Sequence, residues 1–389
     1  MMKVLFVHDG YIMSKNGELY SSTYNDSIIR KYKRISDELT FCTRIMEKNE
    51  TGKLIKLHEH FSFVGVPNFK NVHYLNLVEE AKRVVKQAVK ESDLIVARIP
   101  SDLGIFAVYF AKKLNKKYVV EVVGCPLDSL SNHSIVGKII APVYYFKQKK
   151  IVHNAENVRY VTNVFLQNRY PNNRNNIGCS DVRLPSISKN EIEQILNNRI
   201  KRIETIDSKR LIVLGTIGTL DMKYKGFDTV IKAIAFMNSN TAKKYKYVIV
   251  GTGNQQWLNR IIKKYKVQES VEIIPGIDHD RIFNWLSEID LYIQPSKTEG
   301  MPRALIEAMS QACPCFGSNV GGIPELLSPE CLFHKGNVME LIKLLSNCEK
   351  SSMMKNARQN LEKSNSYSME SLDDKEKIFY QKVLSSINI

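Results

Sequence analysis

The sequence predicts an α/β fold of two Rossmann-like domains facing across a cleft. Three observations carry that expectation. At 389 residues the chain is longer than one core usually serves. Strand-like apolar runs alternate with helical stretches, the rhythm of a parallel sheet covered on both faces. The rhythm lapses near residues 185 to 208 and restarts at RLIVLGTIG, 210 to 218. The expected domains are therefore 1–200 and 201–365, with a C-terminal helix, 366–389, packing back on the first.

In order, KVLFVHD (3 to 9) reads as a strand and SIIRKYKRISDEL (27 to 39) as a helix. DLIVARI (93 to 99) precedes the helical DLGIFAVYFAKKLN, and KYVVEVVG (117 to 124) precedes a basic, aromatic stretch at 131 to 152. A less ordered segment, NRYPNNRNNIGCSDVRLPS, leads to a charged helix, NEIEQILNNRIKRIE. After the restart come GFDTVIKAIAFM (helix), KYVIVGTG (strand), NQQWLNRIIKKY (helix), SVEIIPG (strand), RIFNWLSE (helix) and IDLYIQPS (strand). In sheets of this kind ligands bind beyond the carboxyl ends of the strands, so the loops after them are where chemistry is expected.

No run approaches the roughly 20 apolar residues of a membrane-spanning helix, and the N-terminus reads as a strand, not a secretory signal. A cytoplasmic protein with reduced thiols is expected, because seven scattered cysteines make no disulfide framework and no zinc knuckle. Net charge is +16, with 30 Lys or Arg against 19 Asp or Glu in residues 1 to 200. Nucleic acid is not expected as a partner, since neither zinc-finger spacing nor an RNP-like aromatic motif is present. SNHSIVGKIIAPVYYFKQKKIV (131 to 152) carries Lys138, Lys147, Lys149 and Lys150 among apolar and aromatic residues. An anionic membrane surface and a core helix with a solvated basic face are equal readings of it.

TEGMPRALIEAMSQACP, 298 to 314, holds two glutamates eight positions apart. Proline is best tolerated at the first helical position, so Pro302 is expected to open the helix, with Glu299 in the preceding loop and Glu307 about 7 to 8 Å along the axis. Between them the N–H groups of Gly300, Met301 and Arg303 make an anion site at the helix mouth. A nucleotide sugar has that layout: hexose hydroxyls for Glu299, diphosphate for the amides, a ribose diol for Glu307. Two solvent-facing helix charges are the plain alternative. In GTIGTLDMKYKGFDTVIKA, Lys225 and Gly226 follow a strand and open a helix, so Lys225 can neutralise a diphosphate; a surface lysine is the alternative. IVGTGNQQ lacks the third glycine of a dinucleotide fingerprint, and Gly251 and Gly253 serve a tight turn or a close approach. In IIPGIDHDRIF the backbone around Ile277 could bond a base edge.

PSKTEGMPRALIEAMSQACPCFGSNVGGIPELL resembles the signature of the family 4 glycosyltransferases, retaining enzymes of the GT-B fold, over residues 211 to 330. EVVGCPLDSLSNHSIVGK and VRYVTNVFLQNRYP resemble a branch used in bacterial surface-polysaccharide (O-antigen or capsule) assembly. The resemblance implies that Glu307 holds the ribose, Glu299 contacts the donor hexose, Gly300 and Met301 contact phosphate and Lys225 binds the diphosphate. It also implies a nucleotide-diphosphate sugar donor, a UDP-sugar foremost, and transfer without a metal or other cofactor. Two positions depart from the pattern. Thr219 stands where many members carry an arginine, so Lys223 supplies the second charge or the site works with one. HDGYIMSKNGELYSS lacks the usual Gly-Gly turn, leaving Gly10 or Gly17 for approach to the diphosphate. His133 is the candidate for a histidine near the reacting centre, with a solvated loop histidine as its alternative.

Without an obvious nucleophile, retention implies front-face displacement in which the leaving diphosphate takes the acceptor proton and catalysis rests on positioning and charge stabilisation. Hydrolysis by two carboxylates needs both to converge on one bond, which a loop glutamate and a helix glutamate fit poorly. The expected reaction extends a saccharide acceptor, lipid-linked, from the inner face of the cell membrane. An inactive partner subunit and a nucleotide-sugar epimerase are the competing readings.

Overall fold

The apolar run at the N-terminus enters the first sheet as β1 (Lys3–Lys15), which continues well past Asp9. The computed structural model describes residues 1–46, 54–69, 76–132, 135–207 and 210–386. Pairing of β1 with its parallel neighbour shifts register between Val7 and Tyr11, a bulge that re-aims the strand. Beyond it the chain reverses through Asn16 and Gly17, at φ 53° and 77°, into β2 (Glu18–Ser21). Two successive left-handed residues, Asn then Gly, are what a two-residue hairpin with primed turn geometry demands. Helix α1 (Asp26–Lys33) is shorter than the helical period over 27 to 39, because Glu38 onward is claimed by β3 (Glu38–Ile45). There Leu39 and Phe41 pair with Val4 and Phe6 of β1, and all four are buried.

The first unit continues through β4 (Ile55–Lys56), β5 (Ser62–Val66), α2 (Asn76–Lys90), β6 (Leu94–Ile99), α3 (Asp102–Lys113) and β7 (Lys117–Val122). It ends in α4 (Pro126–Ser131), α5 (Ile135–His153), β8 (Asn157–Tyr160), α6 (Phe165–Arg169) and β9 (Asn175–Gly178). The parallel strands lie in the order β5-β3-β1-β6-β7-β8-β9, with β2 antiparallel on β1 and β4 on β2. Strand order reverses between β1 and β6. At that point Asp9 spends both carboxylate oxygens on the first amides of α3, accepting from Asp102 N at 2.9 Å and Leu103 N at 3.0 Å. The protein thus caps this helix mouth with its own anion.

Helix α5 (Ile135–His153) carries the basic segment. Its inward face is Gly137, Ala141, Gln148 and Val152. Ile135, Val136, Ile139, Ile140, Val143 and Phe146 are exposed, by 38% to 79%. A core helix would bury these apolar side chains, and this one exposes most of them. Among the described residues no helix is long and apolar enough to cross a membrane.

The division between units falls at Cys179/Ser180, ahead of the 200/201 boundary the sequence suggests. Helix α7 (Lys189–Glu204) is part of the second unit because Arg199, buried on it, donates to the carbonyls of Leu286, Ile289 and Gln311. A buried guanidinium with several acceptors is a strong tether. The unit then runs through β10 (Ile212–Ile217), α8 (Phe227–Asn240), β11 (Tyr245–Val250), α9 (Gln256–Lys264), β12 (Val271–Ile274) and α10 (His279–Glu288). It closes with β13 (Leu291–Gln294), α11 (Arg303–Ser310), β14 (Cys315–Ser318), α12 (Ile323–Leu326), β15 (Leu332–Phe333), α13 (Val338–Ser346) and α14 (Lys350–Ser364). All strands are parallel, in the order β12-β11-β10-β13-β14-β15, the doubly wound order of a dinucleotide-binding fold.

Residues from Glu376 on in α15 (Met369–Ser385) belong to the first unit. Phe379, Tyr380 and Val383 join its core beside Phe6, Tyr32 and Phe41. Glu376 enters a buried charge cluster, 2.8 Å from Arg159 Nε and 3.4 Å from Lys31 Nζ. Lys31 also lies 2.9 Å from Glu121, which is fully buried and accepts a hydrogen bond from Tyr32. Arg98 and Arg159 approach the same carboxylate at 3.3 and 3.6 Å.

Candidate active site

In the second unit strand order reverses between β10 and β13, and the loops after these two strands are where such a fold binds ligands. They are zipped together: Lys297 N donates to Tyr224 O at 2.6 Å. Gly226 sits at φ 75°, where a Cβ would stand 1.9 Å from the carbonyl oxygen of Pro295, so only glycine permits this approach. The contact brings Lys225, last residue of a 3₁₀ turn (Lys223–Lys225), to 3.0 Å from Glu299 Oε2. Their side chains are 19% and 15% exposed, enough shielding for the pair to matter.

Glu299 is aimed from its own strand. Tyr292, Gln294 and Ser296 alternate, so they share one face of β13 and its extension. Tyr292 Oη donates to Gln294 Oε1 (3.0 Å), Gln294 Nε2 to Ser296 Oγ (2.9 Å), and Ser296 Oγ to Glu299 Oε2 (2.9 Å). Burial pushes the Tyr292 phenol well above its ordinary range, so it stays a donor. Gly321, at φ 58°, would place a Cβ 1.9 Å from Glu299 O, and Gly322 N donates to Gly300 O at 2.8 Å. The loop is thereby clamped from both sides. Oε2 of Glu299 is locked by lysine and serine, whereas Oε1 has no hydrogen-bond partner among the described residues. A carboxylate held this way can accept a hydroxyl without reorienting.

The helix after Glu299 begins one residue later than the sequence suggests. Pro302 has ψ 107° and is the N-cap, and Arg303 is the first helical residue. Proline's extended ψ turns its carbonyl into the first acceptor, from Ile306 N at 3.3 Å. Glu307 therefore lies four residues into α11, an axial rise of about 6 Å, and is 4% exposed. The amides of Gly300, Met301 and Arg303 make no hydrogen bond among the described residues, in contrast to the capped mouth of α3. Of these two helix mouths, the one in the second unit leaves its amides uncapped.

Of the other sequence candidates, Thr219 is exposed in the loop after β10. Lys223 is exposed as well and makes no ion pair among the described residues, which leaves it available as a second cation. Ile277 lies half-buried in the loop after β12, at the edge of the sheet rather than at the reversal. His133 is outside the described residues. Gly17 belongs to the first unit and forms the hairpin tip, where a Cβ would meet nothing within 4 Å; the turn alone explains its glycine. Gly10 packs on Tyr24, whose hydroxyl would lie 2.1 Å from a Cβ. The close approaches at Gly251 and Gly253 are made by protein, Gly218 O and the Asp221 carboxylate. Sequence reasoning missed Gln294, Ser296, Gly321 and Gly322. Polar residues at period two on an otherwise buried strand were the available signal for the first pair. Among the described residues no group of three or more His, Cys, Asp or Glu is placed to hold a metal ion, and none of the seven cysteines forms a disulfide.

With two doubly wound units, the chain is a GT-B glycosyltransferase, as its family and its structural likenesses show. The chain belongs to the glycosyl transferases group 1 family, whose model matches residues 197–365. It is 32% identical over 399 residues to Protein CapJ of Staphylococcus aureus, covering 99% of this chain and 97% of that protein. The O-antigen biosynthesis glycosyltransferase WclY of Escherichia coli is 27% identical over 43% of this chain and 48% of its own. Among solved structures, HepE of Anabaena in complex with UDP-glucose aligns with a TM-score of 0.64 at 15% identity, over 99% of this chain and 100% of that one. Sucrose-phosphate synthase of Thermosynechococcus elongatus aligns at 0.69 and 14% identity, over 99% and 100%.

Proposed function

We propose that this glycosyltransferase moves a sugar from a nucleotide-diphosphate sugar, a UDP-sugar foremost, to a lipid-linked saccharide acceptor, with retention and without a metal. The observation that carries the reading is the row of unpaired amides at Gly300, Met301 and Arg303, set between the Lys225–Glu299 pair and buried Glu307. The diphosphate takes the amides and Lys225, the ribose diol takes Glu307, and the free Oε1 of Glu299 takes a hexose hydroxyl. Charge developing on the departing diphosphate is met by Lys225 and by the helix mouth, both already in place. The same diphosphate collects the acceptor proton, since Glu299 orients the donor and does not attack it. The complex of HepE with UDP-glucose favours uridine as the first base to try.

Helix α5 and its lysines support a station on the inner face of the cell membrane, where a lipid-linked acceptor is presented. The O-antigen biosynthesis relative fits a role in surface-polysaccharide synthesis. Titration of UDP into Glu307→Ala by calorimetry tests the donor assignment: binding weakens by about 1 to 3 kcal/mol if a buried polar contact to the ribose is lost. Unchanged affinity in that variant removes Glu307 from the donor site.

A further inference from the structure

A cavity of about 800 Å³ lies in the first unit along the outer surface of α3, between α2 and α5. Its floor is apolar, formed by Ile105, Phe106 and Tyr109 of α3 and Ile151 of α5. Its rim is cationic: Lys82, Arg83 and Lys86 come from α2, Lys112 from α3, and Lys147 and Lys150 from α5. Against these six stands one carboxylate, Glu79, which is already paired with Lys82 at 2.5 Å. Arg83, Lys86, Lys147 and Lys150 make no ion pair among the described residues. Burial, then the neighbouring charges of Arg174 and Lys150, pulls the Lys112 ammonium below the usual lysine range.

A saccharide would find few hydrogen-bond partners on this floor, and a bare phosphate would leave the apolar surface uncovered. An amphiphile satisfies both parts. Lys147 and Lys150 also extend the exposed side of α5 that carries Ile139, Val143 and Phe146 one to three turns earlier, so groove and apolar arc form one continuous surface. We propose that this groove binds one anionic glycerophospholipid, an acyl chain along Ile105, Phe106 and Tyr109 and the phosphate among the lysines of α2 and α5. This deepens the membrane part of the proposed function and rests on it: the groove gives the protein selectivity for acidic lipid beyond insertion of α5.

The test uses the full chain and monomeric lipid, so that no bilayer is present. Dihexanoyl-phosphatidylglycerol below its critical micelle concentration is titrated by calorimetry beside dihexanoyl-phosphatidylcholine and glycerol phosphate. One saturable site is expected for phosphatidylglycerol, with phosphatidylcholine about tenfold weaker and no binding of glycerol phosphate, given roughly fivefold per basic residue at an anionic headgroup. The double variant Lys147→Glu/Lys150→Glu, at exposed positions, is expected to lose about tenfold or more at an unchanged melting temperature. Tyr109→Glu, which puts a carboxylate in the floor, should do the same. Equal binding of glycerol phosphate, no saturable lipid binding, or indifference to both variants overturns the proposal. Flotation with phosphatidylglycerol vesicles separates it from the reading it rests on: Ile139→Ser/Phe146→Ser should release the protein from vesicles yet keep monomeric lipid binding. A chain that floats but takes no monomeric lipid refutes the groove alone, and one that takes lipid but never floats refutes the α5 station alone.

Discussion

In the proposed donor site Glu299 and the diphosphate compete for Lys225, and the distance of the Lys225–Glu299 pair makes the competition measurable. At 3.0 Å the pair attracts by about 5 kcal/mol gross at an effective dielectric of about 20. Desolvation and side-chain ordering leave a net of about 1 kcal/mol for groups this shielded. An incoming diphosphate must share the ammonium with Glu299, so Glu299→Gln, which removes the competing charge and keeps the shape, should tighten UDP binding by about 1 kcal/mol, roughly fivefold. Lys225→Met should weaken it by about 1 to 3 kcal/mol. In the double variant the gain from Glu299→Gln should vanish, because it acts only through Lys225, giving a coupling of about 1 kcal/mol. Sugar transfer by Glu299→Gln should nonetheless fall about a hundredfold, since the hexose is no longer oriented. Calorimetry with UDP and a transfer assay with the donor sugar read both quantities. If Glu299→Gln weakens UDP as much as Lys225→Met does, Glu299 is part of the phosphate site and the division of labour between the two is wrong.

Two glycines at positive φ should separate in a urea melt. Gly226→Ala, facing Pro295 O at 1.9 Å, should cost about 2 to 4 kcal/mol and disrupt UDP binding. Gly17→Ala, with open space around it, should cost about 1 to 2 kcal/mol and leave UDP binding unchanged; a loss of UDP affinity there would restore Gly17 to the donor site. Glu121→Gln removes the buried carboxylate that Lys31, Arg98 and Arg159 approach and should destabilise the chain by about 3 to 5 kcal/mol in the same assay, with a shift of under about 1 kcal/mol contradicting the role of the cluster.

Much of the fold and the placement of part of the candidate site were legible in the sequence. Apolar runs such as LIVARI and YVIV are strands on local pattern alone, because a parallel strand buried on both faces must be apolar throughout. Pro302 separated Glu299 from Glu307 by backbone stereochemistry, and the following helix put Glu307 on its second turn. Those facts depend on near neighbours in the chain. Only the tertiary structure decided the rest. The end of the helical pattern, from Glu38 on, passes to strand because β1 offers Leu39 and Phe41 a buried partner face. Gly17 is a turn residue because β1 runs on past its bulge, and Arg199 moves α7 into the second unit by reaching carbonyls some 90 to 110 residues away. Likewise the Lys225–Glu299 pair spans 74 residues and exists because Gly226 lets two loops meet at the point where strand order reverses. Periodicity and stereochemistry are local and can be read along a chain; which strand, which carbonyl and which counter-charge a residue meets is set by packing, and only the folded chain contains it.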